Sequence, residues 1–391
     1  MADVLIAGGG IGGLTAALCL ARRGHAVRLF ERAPAIAETG AGLQLSPNAT
    51  RVLHDLGLQQ ALGAVAFVPQ CTEMRHWRSG RLIGQQPLGE TVRERYGHPY
   101  LHVHRADLVH LLEQALGAEP RVRLQVGAQV DGVHQDARSA SVVVDGGVVS
   151  GDILIGADGI RSVVREALFG PERARFTGQV AWRLTLPVDA LPAGLLPPVT
   201  GVWWGPGRHL VHYNLRQGTL VNLVCVVEQA GWTVESWTEP GDPADLRAAF
   251  EGWHPTIQQL VGAARAGALF RWALFDRPPM PAWGRGRITL LGDACHPTLP
   301  FLAQGAAMAI EDAAVLAACL SSSGDAGAAL ARYARLRRPR TAAIQRGSRR
   351  NATVFHLSGV PAWLRDRVVG WAVGRSLDRL YRYDALRAAD G

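Results

Sequence analysis

Residues 292–313 read GDACHPTLPFLAQGAAMAIEDA, and side chains in that order can do chemistry. Asp293 stands just past a strand at 287–291, a placement where a carboxylate suits a hydroxyl-rich ligand chain. Gln304 and Gly305 then lead into a small-residue helix opening at Ala306. A helix N-terminus aimed at a ligand stabilises partial negative charge there. The stretch is suited to hold a group and polarise it. Gly-Asp after a strand is also a common turn, so the remaining chain has to decide between the two readings.

Two further stretches have the same form. Residues 3–7 are a short apolar strand running into Gly8, Gly10 and Gly13, which fit G-x-G-x-x-G, then a helix over 14–23 closed by Gly24. A second strand at 27–30 ends on Glu31, with Arg32 beside it, so an acid stands about 20 residues past the glycines. Gly8 permits the turn, Gly10 admits a pyrophosphate to the backbone, Gly13 lets helix pack on strand, and Glu31 suits ribose hydroxyls. A carboxylate there favours an unphosphorylated adenosine ribose, as in FAD or NAD. The third stretch is a buried strand ending at Ala157, Asp158 and Gly159, with a helix starting at Ser162. Three strand-to-turn-to-helix crossings can converge on one extended ligand.

Around these crossings the chain supplies candidate contacts. The loop 38–48 carries Gly40 and Gly42, which let backbone approach a flat ring, and Gln44. Arg105 stands at the start of a helix over 108–116, where it could meet a pyrophosphate. Residues 69–99 turn to short strands at 72–77 and 81–83, excursions from the nucleotide-binding part. Residues 179–275 then read as sheet, with strands at 180–186, 201–204, 209–213 and 220–227 and one helix over 243–254. Strand periodicity sends His209, Val211 and Tyr213 to one face and Leu210 and His212 to the other. A histidine is the side chain whose pKa suits a base near neutral pH. Arg183 is either a carboxylate anchor or an outward, solvated side chain. The tail is helical, at 326–335, 337–350 and 361–381, the last mixing Trp363, Leu364, Val368, Trp371, Leu377 and Leu380 with arginines.

Composition bounds the reading. The chain has 391 residues, 48% hydrophobic and 19% charged, enough for a sizeable core in two or three domains or one interleaved one. Its net charge is +8, with arginine and no lysine, which favours anionic ligands; without a dense basic stripe, no nucleic-acid partner is expected. Cys19, Cys71, Cys225, Cys295 and Cys319 are odd in number and scattered, without metal-ligand spacing, and read as reduced thiols of a cytoplasmic protein. A strand begins at once, which leaves no room for a signal peptide, and no apolar run is long enough to span a membrane. The tail is expected to pack on its own domain or in a homodimer.

The three fingerprints together carry a family resemblance. Gly8 to Gly13 with Glu31, Asp158 and Gly159 with Arg161 and Ser162, and Gly292 and Asp293 followed by His296, Pro297, Gln304 and Gly305 resemble those of single-component FAD-dependent aromatic hydroxylases. PNA at 47–49, HRADL at 104–108, LAQGAAMAIEDA at 302–313 and LYRYDA at 380–385 are similar to the branch containing salicylate hydroxylase, 3-hydroxybenzoate 6-hydroxylase and 6-hydroxynicotinate 3-monooxygenase.

The resemblance implies an α/β fold in which a Rossmann-like FAD-binding domain (1–70, 101–178, 276–325) interleaves with a β-sheet substrate domain (71–100, 179–275) ahead of C-terminal helices (326–391). It implies FAD with adenosine at Glu31, pyrophosphate at the glycines and Arg105, ribityl chain at Asp293, and the flavin edge at Gln304, Gly305 and Ala306. NADH or NADPH would visit as a transient co-substrate, and O2 would react through a flavin C4a-hydroperoxide. In that branch a His and a Tyr four residues apart hold and deprotonate the substrate phenol, a spacing matched by His209 and Tyr213. The 3-hydroxybenzoate members are expected to carry a glutamine before Ala-Gln-Gly; here Pro300 and Phe301 stand there and offer an apolar wall instead. The expected activity is hydroxylation of a small phenolic or heteroaromatic acid. The alternatives are a larger biosynthetic substrate, hydroxylated or epoxidised, and a non-oxygenating FAD reductase or redox-dependent binding protein.

Overall fold

The computed structural model describes residues 1–36, 42–232 and 239–390, without the side chains of 370–376; Gly40 and the Trp371 side chain, singled out above, lie outside the description. Val4 to Ala7 are wholly buried, as a strand covered on both faces must be. That strand, Asp3–Ala7, lies inside a six-stranded sheet of order Gly284–Arg285, Ile288–Leu290, Ile153–Gly156, Asp3–Ala7, Ala26–Glu31 and Val122–Val126. All pairs are parallel except the edge hairpin of the first two strands. Asp3–Ala7 has Ile153–Gly156 on one side and Ala26–Glu31 on the other, and at such a reversal of strand order α/β sheets hold ligands. Helices Ile11–Arg22 and Gly305–Ser321 pack together over the sheet, the second rich in alanine and buried from Ala307 to Leu320.

A second sheet has eight strands, in the order Glu239–Pro240, Phe270–Asp276, Arg175–Pro187, Leu220–Glu228, Arg208–Leu215, Thr200–Gly205, Cys71–His76 and Leu82–Pro87. The early strands at 71–76 and 82–87 join it through a parallel pairing of Cys71–His76 with Thr200–Gly205. Between the sheets runs a short ribbon, Gly42–Leu45 paired with Leu101–His104. A small antiparallel sheet, Val130–Gln135, Ala140–Val144 and Gly147–Gly151, turns at Asp145 and Gly146.

The helices differ from expectation at two places. The helix expected over 243–254 ends at Ala249, and a second helix, Pro255–Gly262, follows; the first does not run on into it because the residue before Pro255 is driven out of helical geometry. His254 instead caps the second helix through Thr256 N–H. In the tail, Ala326–Phe355 is one helix running through Pro339, not two. Arg337 and Arg340, on either side of the proline, are both anchored to buried acids and hold this segment in place. The last helix, Gly359–Tyr381, packs Leu377, Leu380 and Tyr381 inward and exposes Val360, Trp363, Leu364 and Val368. Among the described residues no helix is long and apolar enough to cross a membrane. All five cysteines are free and buried.

Candidate active site

The three crossings meet at a cavity of about 1130 Å³ that also reaches the face of the eight-stranded sheet. Its wall includes Gly10, Arg105, Asp293, Gly305 and Ala306 from the first layer, and Gly42, Gln44, Arg183, His209 and Tyr213 from the second. At the first crossing, Gly8 takes φ +105°, and a Cβ there would lie 2.5 Å from the Ala157 carbonyl oxygen. A Cβ on Gly13 would lie 1.9 Å from the Gly8 oxygen, whereas one on Gly10 meets nothing within 4 Å. Two of the glycines therefore serve chain packing, and the third leaves open backbone facing the cavity.

Asp293 sits in a turn opened by Gly292 at φ +64°. Its carboxyl is exposed to the cavity and enclosed elsewhere, so burial raises its pKa while His296 and Arg105 oppose the rise. A network of charges fixes this turn from behind. Gly292 N–H and His296 Nε2 both reach Asp312 Oδ2, and Arg337 clamps Asp312 Oδ1 and Glu311 Oε2 at 2.6 Å each. Glu311 also accepts from Asn48 Nδ2 (2.6 Å) and from Arg340 (2.7 Å). Glu311, Asp312 and Arg337 are entirely buried; against that burial, Arg337 and Arg340 hold the Glu311 carboxyl below the usual range, and His296 with Arg337 does the same for Asp312.

Three expected contacts are placed differently. The Gln304 side chain turns into the network, donating to Ser46 Oγ (2.9 Å) and accepting from Asn48 Nδ2 (3.1 Å), so only the backbone beyond it borders the cavity. Asp158 does not line the cavity. Its Oδ2 accepts from Val164 N–H (3.2 Å) in the first turn of helix Val163–Phe169, whose N-cap is Ser162. Gly42 admits a flat ring, and that ring is Tyr213: a Cβ would lie 2.5 Å from its Cε2. Glu31 sits at the strand end, accepting from Gly9 N–H (2.7 Å) and Ala33 N–H (2.8 Å), and Arg32 beside it is exposed.

On the opposite wall, His209, Val211 and Tyr213 face the cavity together. His209 Nδ1 lies 2.7 Å from His356 Nε2, and the Phe301 and Phe355 rings stand edge-on to its imidazole. Burial, reinforced by His356, pushes its pKa well below the usual histidine value, which favours the neutral imidazole. Burial raises the Tyr213 phenol, and Arg183 opposes the rise. Arg183 is turned inward, stacked 4.4 Å over the Trp272 ring, with its pKa pushed down to about 10 by burial and by Arg105. The outward alternative is thereby excluded. Pro300 and Phe301 line the cavity from the loop before the helix. Tyr100 O–H donates to Gln44 Oε1 (2.6 Å), which fixes that amide at the wall.

Comparison with known proteins bears on this geometry. Residues 1–348 match the family described as FAD binding domain. Over 367 residues the chain is 40% identical to the 3-amino-4-hydroxybenzoate 2-monooxygenase PtmB3 of Streptomyces platensis, covering 93% of this chain and 91% of that one. The chain belongs to the FAD-dependent aromatic hydroxylases. The hydroxylase is also 39% identical to 6-hydroxynicotinate 3-monooxygenase of Bordetella bronchiseptica, covering 92% and 94% of the two chains. Its fold superposes on Klebsiella pneumoniae HpxO complexed with FAD and uric acid with a TM-score of 0.87 at 27% identity, covering 100% and 98%.

The hydroxylase's residues fit FAD. Open backbone at Gly10, a carboxyl at Asp293 aimed into the cavity, and the helix N-terminus at Gly305 and Ala306 offer sites for the pyrophosphate, the hydroxylated chain and the flavin edge respectively. Sequence reasoning missed the Glu311, Asp312 and Arg337 network, although two adjacent acids inside an alanine-rich helix were a signal of burial with partners. His356 and Trp272 left no comparable signal, because each reaches the site only through tertiary packing.

Proposed function

We propose that the hydroxylase inserts one oxygen atom from O2 into a small phenolic or heteroaromatic acid at the expense of NADH or NADPH. The observation that carries this reading is the gathering of a neutral buried histidine, a tyrosine and an inward arginine on the wall opposite Asp293. Bound FAD, reduced by the nicotinamide, supplies the oxidising chemistry. The chain's own part is to make the ring electron-rich and to keep the site dry. Arg183 holds the substrate carboxylate, and His209 Nε2 takes the ring hydroxyl proton while Tyr213 fixes that oxygen. Phe301 and Pro300 confine the ring beside the helix N-terminus, whose N–H groups stabilise negative charge on the cofactor edge. Asp293, Glu31 and Arg105 hold the cofactor along its length.

In this reading residues 1–70, 101–178 and 276–325 form the FAD-binding domain, 71–100 and 179–275 the interleaved substrate domain, and 326–391 the helical tail. The protein works in the cytoplasm, and the apolar side chains exposed on Gly359–Tyr381 pair two copies. The test is NADH and NADPH oxidation by the FAD-loaded protein against 3-amino-4-hydroxybenzoate, 6-hydroxynicotinate and other phenolic acids, with peroxide and product quantified together. Faster oxidation with stoichiometric hydroxylated product supports the assignment. Oxidation that yields only peroxide with every compound contradicts it.

A further inference from the structure

A base that is 1% exposed has to discharge its proton once per turnover, and His209 sits between two phenylalanine rings with no solvent beside Nδ1. A continuous line of hydrogen bonds leaves from that nitrogen. His209 Nδ1 lies 2.7 Å from His356 Nε2, and His356 Nδ1 lies 2.8 Å from Glu228 Oε1, both within normal hydrogen-bond range. The Glu228 side chain is 56% exposed. The line therefore crosses from the cavity wall to water in three side chains. The geometry points to a proton relay, His209 to His356 to Glu228, that carries the substrate's ring hydroxyl proton from the buried cavity wall to solvent.

The inference rests on His209 being the base of the proposed reaction, and it assigns His356 and Glu228, which lie outside any motif of the chain. The tautomers follow from the acceptor at the far end. A carboxylate at Oε1 takes the His356 Nδ1 proton as a hydrogen bond, so His356 Nε2 is bare and accepts from His209 Nδ1–H. His209 Nε2 is then the bare nitrogen left for the substrate. When the substrate O–H bond breaks, its proton forms the Nε2–H bond of His209. The Nδ1 proton of His209 passes to His356 Nε2, and the Nδ1 proton of His356 passes to Glu228, which releases it to water. Each imidazole ends neutral with its proton on the other nitrogen, and one proton has left the cavity.

The surroundings of His356 favour passage over storage. Burial, Arg208 and Arg365 disfavour its charged form, and Glu228 alone among its charged neighbours favours it. Gln179 Nε2, 3.3 Å from His356 Nδ1, is placed to donate to that nitrogen once the proton has gone. Three elements bring the groups together: the cavity strand Arg208–Leu215, the strand Leu220–Glu228 paired to it, and the C-terminal end of helix Ala326–Phe355. A purely structural clamp between helix and sheet would use the same bonds, so the test has to follow the proton.

Glu228→Gln keeps an acceptor for His356 but cannot take a proton, and His356→Gln interrupts the line. The FAD-loaded protein is mixed with 3-amino-4-hydroxybenzoate or 6-hydroxynicotinate in weakly buffered solution containing a pH indicator, and proton release is followed by stopped flow. The expected result is release slowed by about tenfold or more in both variants, the lower part of what a positioned proton-transfer group contributes, with FAD content unchanged. His209→Ala is expected to release none. Release at the wild-type rate in both variants, with none in His209→Ala, overturns the relay and leaves the base in place. Wild-type release from His209→Ala, or none from the wild type with either compound, removes the base and the relay together. If His356→Gln does not fold, the surface variant Glu228→Gln decides alone.

Discussion

The two walls of the cavity are built on opposite principles. Behind Asp293, charge is paired with charge: Arg337 and Arg340 neutralise the buried Glu311 and Asp312, and the turn and the loop at 46–48 hang on those acids. On the sheet side, His209, Tyr213 and Arg183 face the cavity among aromatic rings, and among the described residues none of them is paired with an acid. The first wall is fixed before any ligand arrives. The second presents polar groups to the cavity among aromatic rings, an arrangement that separates a charge-clamped cradle from a wall free to differ.

Removing the clamp should have the largest effect. Arg337→Ala leaves two buried carboxylates short of their main partner, a change expected to cost about 3–5 kcal/mol, readable as a lowered denaturant midpoint together with loss of FAD. An unchanged midpoint would mean that the first wall is not held by its ion pairs. On the other wall, His209→Ala should leave stability and FAD content nearly intact while lowering kcat by about 100-fold or more. Equal turnover by that variant would erase the distinction in role between the walls.

The next comparison is within the glycines. Gly13→Ala should fail to fold around the first crossing, because its Cβ would overlap the Gly8 carbonyl oxygen, whereas Gly10→Ala should fold normally and retain FAD poorly. Dialysis against FAD-free buffer, followed by flavin absorbance, separates the two. The same contrast explains what was legible in advance. Glycine spacing, an acid past a strand and strand alternation are local and survive in the sequence, so the cofactor cradle and the facing of His209 with Tyr213 were readable. The positions of Gln304 and Asp158 in their motifs were visible in the sequence, whereas the side-chain partners, Ser46 and Asn48 for Gln304 and the Val164 N–H for Asp158, were not. His356 stands 147 positions from His209 and meets it only once the helix packs on the sheet.

A smaller effect concerns acid. His102 and His212 are buried and uncharged, burial pushing their pKa values down to about 3 and about 4. Their folded pKa values lie below the unfolded value near 6.5, so the unfolded chain binds protons first as pH falls. Stability is full above about pH 6.5 and should decline below it by about 1.4 kcal/mol per pH unit for each histidine, until the folded values are reached. Urea melts at pH 7 and pH 5 measure this, and His212→Asn should flatten the slope. Equal stability at both pH values would mean that these histidines are charged in the fold. Arg183→Ala completes the series, with KM for a carboxylated phenol raised by about tenfold and kcat changed less if the arginine anchors substrate.

The most direct measurement is the fate of oxygen-18 from labelled O2 when the FAD-loaded hydroxylase turns over 3-amino-4-hydroxybenzoate and 6-hydroxynicotinate with NADH or NADPH. The account predicts one labelled oxygen in each molecule of hydroxylated product formed. Label confined to peroxide and water, with neither ring gaining oxygen, would contradict it.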